Sequence, residues 1–205
     1  MDRAQIHTLE AFIAALLLVG ALLFATQATA VTPLSASTSN QHIENQQQQM
    51  ADDVLAISAD NGVLHDALTY WNTSDGQDAH FVNADPDRST YSSLLSTEFD
   101  HPLAPAFGEA FDEGVYAYNI DIRYIDEDGG FDSVRMVDMG TPSDNAVTAT
   151  RSVTLFENDT IWNDTAANGS TLGSLEYDES FWAPNVDSDG SVYNVVEVRV
   201  TIWRM

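Results

Sequence analysis

The chain of 205 residues contains no cysteine and no lysine. Without Cys, disulfides, thiolate metal sites and cysteine nucleophiles are excluded. Without Lys, no ammonium group is available to contact a phosphate. All seven basic residues are Arg, set against 32 acidic ones, for a formal net charge of −25. So few cations cannot neutralise a phosphate backbone, and nucleic acid is excluded as a partner. HExxH, GxSxG, Gly-rich phosphate-loop and Walker patterns are also missing. A catalytic role needs a site, and no spacing singles one out, so neither an enzymatic activity nor a cofactor is expected.

What is present is acid, a moderate apolar content and one long apolar run. The hydrophobic fraction of 44% is ordinary for a globular chain and argues against wholesale disorder. A surface this acidic repels itself in ordinary buffer, and concentrated salt screens that repulsion within a few ångströms. Asp and Glu hold water and cations where Lys would expose an apolar stem. The composition reads as that of a halophile, with a merely acidic extracellular protein as the alternative.

Residues 11–25, AFIAALLLVGALLFA, are fifteen apolar residues without a charge, and the run continues with mild interruptions to Val31. At about 1.5 Å per residue, a helix over 11–31 spans about 30 Å, the thickness of a bilayer core. Arg3 precedes it and a long acidic region follows. That asymmetry predicts a cytoplasmic N-terminus, a single pass through the cell membrane and an extracellular segment 32–205. Three readings of the run stay open. One is a secretory signal cut after Ala30, where Ala28-Thr29-Ala30 fits the small-x-small pattern. Another is an uncleaved anchor. The third is a prepilin-type signal, cut ahead of the apolar helix.

Arg3-Ala4-Gln5 resembles the archaeal prepilin peptidase site, with cleavage between Ala4 and Gln5. Type IV pilins similarly place a Glu near the start of the mature helix. That resemblance implies that Glu10 pairs with the N-terminal amine of a neighbouring subunit; counting from Gln5 it is sixth, where the family usually has it fifth. Physically, a carboxylate at the margin of a hydrocarbon span is costly and wants a cationic partner, or else sits among the headgroups. Ala14, Ala15, Gly20 and Ala21 are small enough for close helix packing, or are simply lipid-facing.

The stretches QIHTLEAFIAALLLVGALLFATQATAVTPLSASTSNQHIENQQ, MGTPSDNAVTATRSVTLF and YNVVEVRVTIWRM resemble an uncharacterised haloarchaeal family of pilin-like membrane proteins. The resemblance implies surface or pilus-like machinery, with the lipid bilayer, other pilin-like subunits and a prepilin peptidase as partners. It implies no catalytic activity.

The remainder predicts an α+β fold: a transmembrane helix over 1–31, then a domain over 32–205 that is helical at 40–71 and mainly β at 115–205. Pro33 is expected to break the chain after the apolar helix. Ile43, Met50, Val54, Leu55 and Ile57 fall roughly in helical register, Gln46 to Gln49 read as a solvated face, and Asn61-Gly62 marks a turn. A short helix is expected from Thr90 to Leu95, and Pro102 and Pro105 keep the next stretch irregular. Val115 to Ile125 alternates, DEDGG at 126–130 turns the chain, and Phe131 to Met139 follows as a hairpin partner. Ala146 to Phe156 and Val192 to Trp203 are further strands, the last with Glu197, Arg199, Thr201 and Trp203 on its solvated face. About four to six antiparallel strands against one helix bury a serviceable core at this size.

Candidate sites are sparse. Sequons stand at Asn72, Asn158, Asn163 and Asn168, the last three crowded into thirteen residues. Asn185 to Gly190, NVDSDG, resembles half of a calcium loop with Asp187 and Asp189 as ligands. The closing Glu is one position late at Glu197, so a hairpin turn is the better reading. Asp126, Glu127, Asp128 and Asp132 are either a second cation cluster or a solvated turn. The five His residues (7, 42, 65, 80 and 101) match no ligand spacing and read as solvent-facing or locally bonded.

The functional expectation is a structural or assembly subunit of a cell-surface pilus-like complex. The alternative is a monomeric membrane-anchored ectodomain that binds a sugar, cation or protein ligand.

Overall fold

A computed structural model describes residues 3–72, 79–85, 88–94, 101–111, 114–162, 167–175 and 181–205, with side chains except at 3–6, 27–40 and 167–169. The chain forms two compact units, Met1–Ile43 and Glu44–Met205. The architecture is α+β: an N-terminal apolar helix, further helices and small antiparallel sheets.

Helix α1 runs Arg3–Asp60. Its helical backbone passes through Pro33, where a break was expected. Proline removes one amide donor, here the one that would reach the carbonyl of residue 29, at a cost of about 3 kcal/mol. Helix on both sides outweighs that single lost bond. In the second unit, α1 buries Gln47, Ala51, Val54, Leu55 and Ser58 on one stripe. Ile43 and Ile57, expected on this face, are exposed, and Gln47, expected in solvent, is buried. The buried positions 47, 51, 54 and 58 recur at the 3.6-residue period, so Gln47 and Ser58 share a face with Ala51 and Val54 despite their polarity. Gly62 at φ 77 then turns the chain, a conformation in which a Cβ would be strained, and α2 follows at Val63–Leu68.

Strands β1 (Trp71–Asn72) and β2 (His80–Phe81) form a short antiparallel pair. The described part of the expected 90–95 helix is not helical: Thr90 and Tyr91 lie in isolated β-bridges. Tyr91 bridges to Val137, its amide donating to the Met136 carbonyl at 2.8 Å and its carbonyl accepting from Asp138 at 2.9 Å. Sheet pairing overrides the local helical pattern. Conversely, α3 forms at Ala104–Ala110, where prolines suggested irregularity. Pro105 sits in its first turn, where the missing N–H has no intrahelical partner to lose.

The main sheet uses β3 (Tyr116–Ile125), β4 (Phe131–Asp138), β5 (Val147–Phe156) and β8 (Val192–Arg204), all antiparallel, in the order β4-β3-β8-β5. Between β5 and β8 lie the short pair β6 (Thr160–Trp162) and β7 (Ala167–Thr171). Register aligns Ile120 with Val200 and Val200 with Ala149, and Ile122 with Val198. Those side chains, with Tyr118, Val196 and Ile202, form the sheet's buried face. They share one core with Leu55, Leu64, Leu68, Leu103 and Phe107 from the helices. Trp203, expected on the solvated face, is buried.

Candidate functional site

In the N-terminal unit, every described residue from His7 to Thr26 is exposed. This segment has a mean hydropathy of 2.3, and none of it is buried. Leu16, Leu17, Leu18, Leu22, Leu23 and Phe24 all present large apolar surfaces. The Thr26 hydroxyl donates back to the Leu23 carbonyl at 2.9 Å, so its polar group is satisfied without water. The helix is long and apolar enough to cross a bilayer, a test a signal sequence also meets. Ala4 and Gln5 lie on its first turns, with side chains outside the described residues. Glu10 is exposed, with its Oε2 3.7 Å from His7 Nδ1 one turn back.

In the second unit, one groove holds about 550 Å³. Its floor is aromatic. Trp182 is fixed by its indole N–H donating to the Leu68 carbonyl at 3.1 Å, and Tyr193 by its hydroxyl donating to the Ala183 carbonyl at 3.0 Å. Tyr124 meets Trp182 edge to face at 5.7 Å, and Phe181 lies 4.8 Å from Trp182. The rim is acidic, with Asp126, Glu127 and Asp132. Asp126 is placed by the turn itself: its Oδ1 accepts from the amides of Asp128 at 3.0 Å and Gly130 at 2.7 Å. Burial, then Asp132 and Asp126, push the Tyr124 hydroxyl above its usual range, so it stays protonated at neutral pH. The arrangement sets an acidic rim over an aromatic floor.

The outer face of the main sheet gathers three of the seven Arg residues. Arg135 Nε donates to Asp121 Oδ1 at 2.7 Å, and that bond holds its guanidinium above its usual pKa. Arg199 donates to Glu197 at 3.2 Å, and Arg123 lies over the Phe131 ring at 4.1 Å. These groups line a shallow groove of about 400 Å³. Alternation and register together produce the ladder, since Asp121 pairs with both Arg135 and Arg199. Screened pairs of this kind order a surface more than they stabilise it.

The other sequence candidates are scattered. Asn72 ends β1 and is half-buried. Asn158 is exposed in the turn after β5. Asn163 lies outside the described residues, and Asn168 lies in β7 with its side chain undescribed. Asp187 and Asp189 are exposed in a turn. There the Asp187 amide donates to Asn185 Oδ1 at 3.0 Å, and Gly190 N–H to the Asp187 carbonyl at 3.0 Å. Among the described residues, no group of three or more His, Asp or Glu is placed to hold a metal ion.

Three buried polar residues gave no sign in the sequence. His101, expected in a polar setting, is buried between Tyr70 at 5.6 Å and Tyr91 at 4.9 Å. Desolvation lowers its pKa to about 3. Its Nδ1 accepts from the Leu103 amide at 3.2 Å, and among the described residues its Nε2 has no hydrogen-bond partner. Asn119 donates to the Gly140 carbonyl and accepts from the Met139 amide, both at 2.9 Å. Asn194 accepts from the Ile125 amide at 3.1 Å and donates to the carbonyls of Ile125 and Pro184, each at 2.9 Å.

Residues 3–202 match a family described as a family of unknown function (DUF7288). No curated protein and no solved structure matches the chain.

Proposed function

The chain belongs to the DUF7288 family of unknown function, and from that premise we propose that it is a structural or assembly subunit of a cell-surface pilus-like complex, anchored or polymerised through its N-terminal helix. The observation that supports this reading is the uncovered apolar surface from His7 to Thr26. Burying one Leu or Phe side chain is worth about 1.5–3 kcal/mol, so a run of them exposed to water is strongly disfavoured. Lipid, or the same helix of neighbouring subunits, is the natural cover. Arg3 on the N-terminal side favours a cytoplasmic start and an extracellular second unit. In this reading a prepilin peptidase cuts between Ala4 and Gln5, and Glu10 pairs with a neighbour's terminal amine. The acidic composition suits a halophilic archaeal surface, and exposed Asn158 suits a glycoprotein.

The test is the mature N-terminus, read by mass spectrometry on protein from its native membrane. A start at Gln5 is expected. A start at Met1 or Asp2 favours instead a monomeric membrane-anchored ectodomain, whose ligand site would be the aromatic groove beside Tyr124. A start at Val31 would overturn every role of the apolar helix. Glu10→Ala is expected to impair assembly while leaving membrane insertion intact; unchanged assembly would sink the pairing role.

A further inference from the structure

The two edges of the main sheet are treated differently. On the β4 side, Tyr91 hydrogen-bonds the edge at Met136 and Asp138, and the strand carries Asp132, Arg135 and Asp138. Charges and a covering segment are the usual protection of an edge. On the β5 side, among the described residues, no backbone hydrogen bond reaches residues 147–155 from any segment other than β8. The strand VTATRSVTLF is ten residues long, rich in β-branched side chains and free of proline. Thr148, Thr150, Arg151 and Ser152 are exposed along it.

The charge pattern is equally distinct. Residues 145–156 form a twelve-residue stretch with no carboxylate, in a chain with 32 acidic residues. Its one charge is Arg151, which lies 3.6 Å from Asp60. Two copies of a chain with net charge −25 repel wherever their carboxylates face each other. Along β5 the strand itself carries none, and the carboxylate beside it, Asp60, faces Arg151. An antiparallel strand is also its own complement: under a two-fold axis, each copy's free N–H and C=O groups meet those of the other.

The geometry points to β5 as a self-association edge, where the β5 strands of two copies pair antiparallel and join two four-stranded sheets into one of eight. The occupant is a second copy of this chain. The pairing does not depend on how the apolar helix is covered.

The test uses the full chain in detergent micelles, with amide hydrogen exchange and light scattering across a concentration series. Exchange at residues 147–156 is expected to slow at least tenfold as the protein is concentrated, in step with a doubling of the protein mass. The double variant Thr148→Asp, Thr150→Asp puts carboxylates on exposed edge positions whose partners on β8 are Thr201 and Arg199, not a carboxylate. It is expected to raise the dissociation constant at least tenfold with its melting temperature nearly unchanged. Ser133→Asp on β4 is the control and should leave the dissociation constant as it was. Oligomers joined only through the apolar helix would show β5 exchange independent of concentration and would survive the double variant. That result, or a chain monomeric throughout, would overturn the inference.

Discussion

His65 Nε2 lies 2.7 Å from Asp159 Oδ2, joining α2 to the turn after β5 across 94 residues of sequence. The same carboxylate oxygen accepts the Phe156 amide at 2.5 Å. One side chain therefore closes the β5–β6 turn and ties it to a helix. Asp159→Ala removes both bonds and is expected to destabilise the second unit by about 1–3 kcal/mol. Chemical denaturation checks this, and Asp159→Asn should recover part of the loss by restoring an acceptor for the Phe156 amide.

His101 gives the fold a dependence on acid. The folded state keeps its imidazole neutral, with a pKa of about 3 against an ordinary 6.5. The unfolded state takes up the proton first, so this contribution is complete above about pH 6.5 and is lost as pH falls toward 3. His101→Phe keeps a ring between Tyr70 and Tyr91 but cannot titrate. The stability difference between the parent and this variant should shift by about 1.4 kcal/mol per pH unit below pH 6, against the parent. A difference constant from pH 7 to pH 4 would refute it.

Asn194 is fully buried and meets three backbone groups. Asn194→Leu leaves the Ile125 amide and the carbonyls of Ile125 and Pro184 without that partner. The expected cost is about 2–5 kcal/mol, measured by denaturant unfolding. Because Asn194 holds segment 181–185 beside β3, the same variant should also raise proteolysis near Phe181.

Ile120 is fully buried on the second strand of the sheet, opposite Val200. Ile120→Ala should cost about 2–5 kcal/mol, with Ile120→Val costing about 0.5–1.5 kcal/mol. A thermal melt of both variants separates a packed sheet core from a loosely packed one, in which the two would differ little.

The long strands were legible because their period of two is written in the residues. Tyr118, Ile120 and Ile122 share a parity, as do Val196, Val198, Val200 and Ile202, and the structure buries both sets. Strands β1, β2 and β6 are two or three residues long, too short to carry a period. Helix α3 was hidden by its prolines, and Trp203 by an alternation that tertiary packing overrides. The aromatic groove was not legible at all. It joins residues between 124 and 132 to Leu172, Leu175 and residues from 181 to 193, far apart in the sequence, and the pairing of β3 with β8 helps bring them together. His101 sits between Asp100 and Pro102, a locally polar context, while the rings that enclose it come from residues 70 and 91.

Strand β8 separates β3 from β5, yet follows both in the chain. A ribosome emits β3, β4 and β5 tens of residues before the strand that must lie between them. Until then β3 and β5 each show an open flank, and no hairpin can close the gap locally. High contact order of this kind slows folding. As the chain emerges in the N-to-C direction, the sheet stays divided until β8 has been made.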